Sequence, residues 1–549
     1  MTFIQQDAVT RHTAAERETR CSPSRNILIR LLLAILLAVQ GWNAAAQQNP
    51  GTEFYSNPVI PGDVPDPTII RVGDKYYAAG TTSDFAPHYP VYESTDLINW
   101  NQIGSIFNDR PEWTSDSFWA PEFYYRNGTF YVYYTAKRKG DRVSCIGVAT
   151  TRNIHEGFTD HGIIVEWGNE AIDAYIFQDD DGKTYIFWKA YGLDPSRPIE
   201  ILGAELSADL LSISGEHFTL TDHSKGWKGS GDEGQVILKR NGMYYMLYSI
   251  GGCCDNRCDY RVMVSRSENL KDGWEQLPDP ILQGGGDWVC SGHGSLVTAP
   301  DGRYFYLYHA YNRTDFEYTG RQGLLDELVW NEATGWPYFK HGNTPSASAP
   351  VPIPGTRQVR KMVYADDFRN DKNRKLWQWD INKARPGITM KGGKFRLSSE
   401  EKGRVFTGIS PKSGNYTFEV SKQRKDQLEK GICVYGNRRN MLYLTLRENT
   451  LTLVSVKNGN EEIVASREIK AKYPVTLKLQ ATNGRYYQFF YTEKGSGQTS
   501  LEWQGTSTFD GNFLPQWGVA MRTGLIFNNP GNQTAEFSAV RMETKFNDK

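Results

Sequence analysis

Three acidic residues, Asp66, Asp173 and Glu233, occupy the same local setting in three separate parts of the chain. Each precedes a β-rich run that ends in paired aromatic residues, as in VPDPTIIRVGDKYY from Val64 to Tyr77. Carboxylates at equivalent places in a repeated β unit are expected to converge on one site. Cleavage of a glycosidic bond needs such a set, because one acid protonates the leaving oxygen while a base activates water.

The repeat extends to five units. Ala120, in a WAPE run, and His293, in a GHGS run, precede the same kind of strand pair. The anchors at 66, 120, 173, 233 and 293 are 54, 53, 60 and 60 residues apart. Asn-Gly or Asp-Gly between paired β-rich runs is the strongest short signal for a hairpin. Regular units of about four strands each predict an all-β fold that contains a five-bladed β-propeller. The alternative is a long β-sandwich whose hairpins resemble one another by chance.

Composition agrees with a β protein of more than one domain. Aromatic residues make up 13% of the 549 residues, which suits both sheet cores and surfaces that stack on sugars. The 62 Lys and Arg residues nearly balance the 63 Asp and Glu residues. With no net basic charge, nucleic acid is a poor candidate partner.

The blade motifs resemble those of glycoside hydrolase family 43, five-bladed propellers that act on arabinose and xylose linkages of plant cell walls. The resemblance covers about residues 57 to 340, with the motifs PDP, WAP, ID followed by DDDG, EG, and GH.S in order. Arg321, ahead of the closing LVW run, also matches. The chain departs at Ala174 and Gln235, where proline is common in relatives, but these neighbours leave the carboxylates in place.

The resemblance implies a role for each acid. Asp66 is the general base, Glu233 is the general acid, and Asp173 orients Glu233 and raises its pKa through a nearby negative charge. The family inverts the anomeric centre, so base and acid are expected roughly 6.5–9.5 Å apart with water between them.

Four further residues are predicted to bind substrate. Phe85 and Trp119 are candidate sugar platforms, and Arg321 is a candidate donor to sugar hydroxyls. The resemblance places His293 near the central channel, where it is the candidate to hold a structural calcium ion through water. The alternative for the two aromatic residues is core packing. For Arg321 it is a surface ion pair, and for His293 it is a hydrogen-bonded place in the core. Hydrolysis itself is expected to require no cofactor.

The N-terminus has the pattern of an export signal. Arg25 and Arg30 lead into the apolar run LLLAILLAV, and small residues end at Ala46. This pattern predicts a signal peptide at residues 1–46 and a periplasmic or extracellular location. The apolar run is short for a membrane span.

Six cysteines follow the leader: Cys145, Cys253, Cys254, Cys258, Cys290 and Cys433. Disulfides or buried thiols are favoured over zinc, because no second Cys or His pair completes a zinc set. The pairing is left open. Relatives that cleave arabinan also carry adjacent cysteines in this loop, which favours arabinose.

A composition break separates the repeat from the C-terminal region. Residues 344–361 contain TPSASAPVPIPG and are expected to form an extended linker. Alternating runs such as YTFEV at Tyr416 predict strands, and YADDFRN at Tyr364 resembles the concanavalin-like β-sandwich that follows the propeller in one branch of the family. The predicted domains are thus a propeller at 47–343, the linker, and a sandwich at 362–549. The sandwich is expected to support the propeller, with sugar binding as the alternative.

The segment Ser83 to Val91 resembles one found in β-xylosidase and α-L-arabinofuranosidase relatives. We therefore expect an exo-acting α-L-arabinofuranosidase of plant cell-wall polysaccharides, with β-xylosidase activity as alternative or companion. An endo-α-1,5-arabinanase needs an open groove that a docked second domain obstructs, and a non-catalytic sugar-binding propeller does not need all three acids. The STDLINW run at Ser94 faintly resembles a sialidase Asp-box but lacks its glycine and occurs once.

Overall fold

The computed structural model describes residues 53–191, 199–229, 231–470, 472–502 and 507–546. The predicted signal peptide and residues 47–52 of the predicted propeller domain lie outside these ranges. Within them, no helix is long and apolar enough to cross a membrane. Residues 53–549 form one compact unit.

The propeller is built almost entirely of strands. In chain order they are β1 (Phe54–Ser56), β2 (Thr68–Val72), β3 (Lys75–Ala79), β4 (Phe85–Ala86), β5 (His88–Ser94), β6 (Asn101–Phe107), β7 (Trp119–Arg126), β8 (Thr129–Lys137), β9 (Ser144–Thr151), β10 (Thr159–Val165), β11 (Glu170–Gln178), β12 (Thr184–Tyr191), β13 (Glu200–Glu205), β14 (Phe218–Thr219), β15 (Glu233–Arg240), β16 (Met243–Ile250), β17 (Arg261–Ser267), β18 (Glu275–Gln276), β19 (Trp288–Thr298), β20 (Tyr304–Asn312), β21 (Arg321–Trp330), β22 (Pro337–Phe339) and β23 (Ser348–Pro350). A short helix, α1 (Phe316–Thr319), follows β20, and a 3₁₀ turn spans His223–Lys225.

Five four-stranded antiparallel blades follow one another, as the repeat predicted. They consist of β2-β3-β5-β6, β7 to β10, β11 to β14, β15 to β18 and β19 to β22. A single parallel pair between β9 and β11 joins the second and third blades. The first strands of the blades (β2, β7, β11, β15 and β19) contact one another in a closed ring. Residues at the start of these strands therefore meet at one end of the central channel.

The paired aromatic residues hold the blades together. Side chains alternate between the two faces of a strand, so Tyr76 packs in the core between the first and fifth blades while Tyr77 packs between the first and second. Tyr244 and Tyr245 are divided in the same way between the blades on either side of the fourth. The repeated aromatic pair is thus the sequence signature of sheets buried on both faces.

The predicted linker lies along the propeller. Its strand β23 pairs antiparallel with β1, with Tyr55 opposite Ala349. The Tyr55 hydroxyl donates a hydrogen bond to the Leu325 carbonyl, 2.6 Å away, in the fifth blade. Residues Ser348–Pro350 of the segment thus lie against the N-terminal strand, which is itself bonded to the last blade.

The C-terminal region is a sandwich of two main sheets, which confirms the predicted fold class. Its strands are β24 (Val363–Asp366), β25 (Trp379–Asp380), β26 (Gly387–Lys391), β27 (Lys394–Ser398), β28 (Gly403–Ile409), β29 (Asn415–Gln423), β30 (Lys430–Asn437), β31 (Asn440–Arg447), β32 (Thr450–Lys457), β33 (Asn460–Glu468), β34 (Val475–Thr482), β35 (Tyr486–Thr492), β36 (Thr499–Ser500), β37 (Phe509–Asp510), β38 (Arg522–Asn529), β39 (Thr534–Phe537) and β40 (Ala539–Lys545), with a 3₁₀ turn at Arg374–Leu376. One sheet has the order β24-β40-β29-β34-β35-β36, and the other has the order β28-β38-β30-β31-β32-β33. Strand β25 pairs with β4 and so joins the sandwich to the propeller.

Candidate active site

Every blade carries a residue in the left-handed backbone region within or just before its inner strand. These residues are Asp66, Ala120, Asp173, Gly234 and His293, with φ values of 51°, 38°, 58°, 57° and 40°. In the second to fifth blades they coincide with register shifts in the pairing of the first two strands. Such bulges bend a strand and re-aim its side chains. The recurring bulge therefore directs one residue of each blade towards the shared end of the channel.

Asp66 is buried and held by three groups. Its Oδ1 accepts a hydrogen bond from Arg321 Nη1 at 2.9 Å, and its Oδ2 accepts one from Thr81 Oγ1 at 2.7 Å. Its backbone N–H donates to His309 Nδ1 at 3.1 Å. Burial opposes ionisation, but Arg321 holds the pKa of Asp66 well below its usual range. Asp66 is therefore an ionised carboxylate at any ordinary pH.

Glu233 lies one residue before the left-handed position of its blade. Its Oε2 accepts a hydrogen bond from Lys189 of the third blade, and its Oε1 accepts one from the Tyr260 hydroxyl at 2.7 Å. Burial alone raises the pKa of a carboxyl, but the Lys189 ammonium outweighs it and lowers the pKa of Glu233. This direction is opposite to the predicted one, because the sequence did not reveal the lysine.

Asp173 is buried close to the negative charge of Glu233. Burial raises the pKa of Asp173 to about 7, with the Glu233 carboxylate adding to the rise and His293 opposing it. His293 Nδ1 lies 3.5 Å from Asp66 Oδ1 and 4.0 Å from Asp173 Oδ2, so it separates the two carboxylates. Near neutral pH Asp173 is therefore the one of the three carboxyls that is still partly protonated.

Two glycines allow this close arrangement. A Cβ on Gly234 would lie 2.7 Å from His293 Cγ, and one on Gly292 would lie 2.6 Å from the ring of Tyr260. Both distances are shorter than real Cβ contacts. The EG and GH motifs are thus explained by the approach of His293 and Tyr260 to the backbone of neighbouring blades.

The structure brings together five of the seven predicted site residues: Asp66, Asp173, Glu233, His293 and Arg321. Trp119 lies beside them, since the backbone N–H of its neighbour Ala120 donates to the same Thr81 hydroxyl that binds Asp66. The indole of Trp119 is half-buried and donates to Ser83 Oγ at 3.1 Å.

Phe85 takes a different place from the predicted one. Its ring is 3% exposed and packs with Phe406 and Tyr435 of the sandwich. The Arg522 guanidinium lies 4.5 Å from the ring centroid. Phe85 thus has little surface left for a sugar, because the second domain covers it.

Arg321 is also placed differently from a simple sugar ligand. It is 4% exposed, and it bridges Asp66 and the carbonyl of Gly518, which accepts from Arg321 Nη2 at 3.3 Å. Gly518 belongs to the sandwich, and its N–H donates to the Cys254 carbonyl at 3.0 Å. The second domain therefore reaches the immediate surroundings of Asp66.

Four cysteines form two disulfides beside the site. Cys253 pairs with Cys254 and Cys258 pairs with Cys290, while Cys145 and Cys433 are free and buried. Cys253, Cys258 and Cys290 pack with Tyr260 in one apolar cluster. They thus surround the tyrosine that binds Glu233.

Calcium near His293 stays a prediction. Calcium takes six to eight oxygen ligands, and the carboxylate oxygens within 4.0 Å of His293 Nδ1 belong to Asp66, already paired with Arg321, and Asp173. Among the described residues, no group of three or more His, Cys, Asp or Glu side chains is arranged to hold a metal.

Sequence reasoning missed Lys189, Tyr260 and His309 as members of the site. Lys189 ends the apolar run YIFW, and His309 interrupts the run YFYLY. A polar residue inside a strand that is otherwise apolar was the available signal, because a buried polar group needs a partner.

Comparison with known proteins agrees with both domains. Residues 55–337 match the family described as Glycosyl hydrolases family 43, and residues 365–527 match the Beta xylosidase C-terminal Concanavalin A-like domain. The resemblance inferred from the blade motifs is thereby confirmed.

Individual relatives differ in their named activities. The chain is 27% identical over 497 residues to the Xylan 1,3-beta-xylosidase of Vibrio sp., covering 81% of this chain and 90% of that protein. It is 31% identical over 314 residues to the Extracellular exo-alpha-(1->5)-L-arabinofuranosidase ArbA of Cellvibrio japonicus, covering 50% of this chain and 86% of that protein. The crystal structure of the GH43 BlXynB protein from Bacillus licheniformis superposes with a TM-score of 0.75 at 25% identity, covering 90% of this chain and all of that chain.

Proposed function

This chain belongs to glycosyl hydrolase family 43, and from this premise we propose that it is an inverting, exo-acting α-L-arabinofuranosidase of plant cell-wall polysaccharides and their oligosaccharides. The observation that carries the proposal is the convergence of Asp66, Asp173 and Glu233 at one end of the channel, with residue Gly518 of the second domain beside them. Hydrolysis needs the acids, and an exo mode of attack needs a closed site.

Asp66 acts as the general base. Its Arg321 partner keeps it ionised, and Thr81 fixes its second oxygen. It accepts a proton from water while the water oxygen bonds to the anomeric carbon. The glycosidic bond breaks on the opposite face, which inverts the anomeric centre.

Glu233 acts as the general acid and protonates the leaving oxygen. In the free enzyme the Lys189 ammonium favours the ionised form of Glu233, whereas burial favours the protonated form of Asp173. Binding of the sugar removes the remaining water around Glu233, which favours its protonated form, and Glu233 then gives this proton to the leaving oxygen. Tyr260 keeps the carboxyl oriented through its hydrogen bond to Oε1.

The exo mode rests on the position of the sandwich. Gly518 links Arg321 of the fifth blade to Cys254 of the fourth through two hydrogen bonds. The adjacent Trp517 is 63% exposed, which leaves its indole free to contact the remainder of a chain. A wall of this kind obstructs the open groove that an internal cleavage requires.

A β-xylosidase is the second candidate. It is favoured by the Vibrio relative, whose alignment covers 81% of this chain. Both sugars present similar hydroxyl patterns, so one pocket can accept both.

A panel of aryl glycosides and oligosaccharides separates the candidates. We expect faster release from aryl α-L-arabinofuranosides and arabinose-decorated oligosaccharides than from aryl β-D-xylosides. Monosaccharide should appear before the viscosity of arabinan falls. A faster reaction with β-xylosides favours the second candidate, and an early loss of viscosity contradicts the exo mode.

The acid and base assignments have their own test. Asp66→Asn and Glu233→Gln should each lower turnover of natural oligosaccharides by roughly 10²–10⁴-fold. An activated phenol leaving group hardly needs protonation, so such a substrate should partly rescue Glu233→Gln and leave Asp66→Asn inactive. Equal rescue of both variants, or near-normal turnover by Asp66→Asn, contradicts the assignment.

The place of action is part of the proposal. The pattern at residues 1–46 supports export to the periplasm or the medium, where a polymeric plant substrate is met. Expression in a host with the N-terminal segment intact, followed by mass measurement of the exported chain, tests cleavage after Ala46.

A further inference from the structure

A second concave site lies in the sandwich, apart from the three carboxylates. It is a cavity of about 410 Å³ on the outer face of the sheet formed by β28, β38 and β30 to β33. Its volume falls within the roughly 300–1,000 Å³ of small-molecule sites. None of the three carboxylates lines it.

The floor of the cavity is apolar, although the outward-facing residues of a sandwich sheet are normally polar. On β30 and β31, Ile432 and Leu444 face the sandwich core, whereas Tyr435 and Tyr443 point to the opposite face. Phe85 of the propeller packs on the same outer cluster. The floor residues that border the cavity are Phe406, Tyr435, Met441, Tyr443 and Ile526.

Charged groups of both signs surround this floor. The lining cations are Lys383, Lys402, Arg404 and Arg438. The lining anions are Asp380, Glu401, Glu429 and Glu461. The four positive and four negative formal charges cancel, so a ligand with a large net charge gains little from the field of the site.

The polar groups are held in place before any ligand arrives. Arg404 donates to Glu461 and, at 3.4 Å, to the Tyr443 hydroxyl, which in turn lies 3.2 Å from Glu461. The Tyr435 hydroxyl donates to Asp380 at 2.8 Å, and its ring stacks on Phe406 with centroids 4.2 Å apart. Rigid donors and acceptors of this kind suit a ligand with many hydroxyls.

We propose that this cavity is a second carbohydrate-binding site for a neutral oligosaccharide, and that it holds the enzyme on the polymer whose ends the propeller cleaves. Sugar hydroxyls bridge the Arg404–Glu461 pair and its charged neighbours. The site goes beyond the proposed function, because binding here requires no bond cleavage.

The test is a calorimetric titration of the full chain carrying Glu233→Gln, so that no ligand is hydrolysed. Linear xylohexaose and arabinohexaose are the probes. We expect two sites per chain for at least one of them. Arg404→Ala and Glu461→Gln, made separately in this background, should each weaken one site by about tenfold or more, because each removes a charge-assisted hydrogen bond.

Arg541→Ala is the matched control, since Arg541 is an ion-paired and partly exposed arginine of the same domain outside the cavity. It should keep both sites. A melting temperature close to that of the parent shows that each variant is folded, and Glu461→Gln keeps the side-chain shape if Arg404→Ala does not fold.

Each outcome of the titration either supports or overturns the proposal. Two sites that survive both variants, or one site that both variants leave intact, overturn the proposal. If the parent binds a probe at a single site and Arg404→Ala loses that site, the cavity site is supported. The propeller then does not bind that probe, which counts against the sugar proposed for it. Binding of a uronic-acid-substituted oligosaccharide without binding of the neutral probes overturns the neutral class.

Discussion

At the residue scale, the three acids of the site differ in whether a Lys or Arg side chain pairs with them. Asp66 is paired with Arg321 and Glu233 with Lys189, so the pKa of each carboxyl is lowered. Asp173 lacks a hydrogen bond from either cation among the contacts that the structure describes, and burial raises its pKa to about 7. The unequal pairing therefore favours the ionised forms of Asp66 and Glu233 and the protonated form of Asp173.

Replacing the cation of Glu233 should move the pH profile. In Lys189→Met the opposing charge is gone, so the pKa of Glu233 rises and the residue stays protonated to higher pH. We expect the basic limb of kcat/KM to shift upward by roughly 1–3 pH units, the usual effect of a nearby opposite charge. Lys239→Met, which removes a lysine paired with Asp179 at 2.9 Å, is the control and should leave the limb in place. A downward shift contradicts the assigned role of Lys189.

The sequence revealed the acids but not this pairing. Asp66 and Glu233 stand in recurring motifs, whereas Lys189 meets Glu233 from 44 residues away and from another blade. Its partner is set by the closure of the ring of inner strands. A contact of that kind leaves no local pattern, so the pKa direction of Glu233 was predicted incorrectly.

At the element scale, the five bulged inner strands are the device that gathers the site. Asn-Gly and Asp-Gly turns and paired aromatics sufficed to predict hairpins and blades. They did not predict that the left-handed residue in the fourth blade is Gly234 and that Glu233 precedes it. Bulge position depends on the neighbouring blade, where His293 needs the space beside Gly234.

Gly234→Ala should therefore cost more unfolding free energy than placing an alanine in the left-handed region costs by itself. The new Cβ adds a clash with His293 to the cost of a left-handed alanine. Gly128→Ala is the matched control, since Gly128 has φ 79° and no atom within 4 Å of the added Cβ. We expect the control to lose roughly 1–2 kcal/mol of unfolding free energy and Gly234→Ala a further 1–3 kcal/mol or so, together with most of its turnover. Equal losses in urea unfolding would argue against the contact with His293.

At the scale of the whole molecule, the two domains share buried contacts that the sequence did not show. Arg522 of the sandwich donates to Asp63 of the propeller at 3.3 Å and to Gln378 at 2.7 Å, and it covers the ring of Phe85. Both charged side chains of this pair are almost fully buried. The segment around Phe85 was assigned to the pocket because its local sequence matched relatives, but its partners lie about 300 residues further along the chain. The fold could be predicted because it follows from local repeats. The role of Phe85 could not, because it depends on this long-range pairing.

Removing the sandwich should therefore damage the propeller rather than merely untether a module. A chain that ends at Lys361 exposes Phe85 and leaves Asp63 without Arg522, so we expect lower solubility and a lower melting temperature. Arg321 also loses the Gly518 carbonyl, so turnover should fall.

Phe85→Asn in the shortened chain should recover part of the solubility, because it removes apolar surface that the sandwich normally covers. Phe54→Asn is the control, since Phe54 is already 59% exposed in the intact protein. Sedimentation and aryl-glycoside turnover measure the two effects. A shortened chain with the stability and turnover of the full protein contradicts this interpretation and makes the sandwich an independent accessory domain.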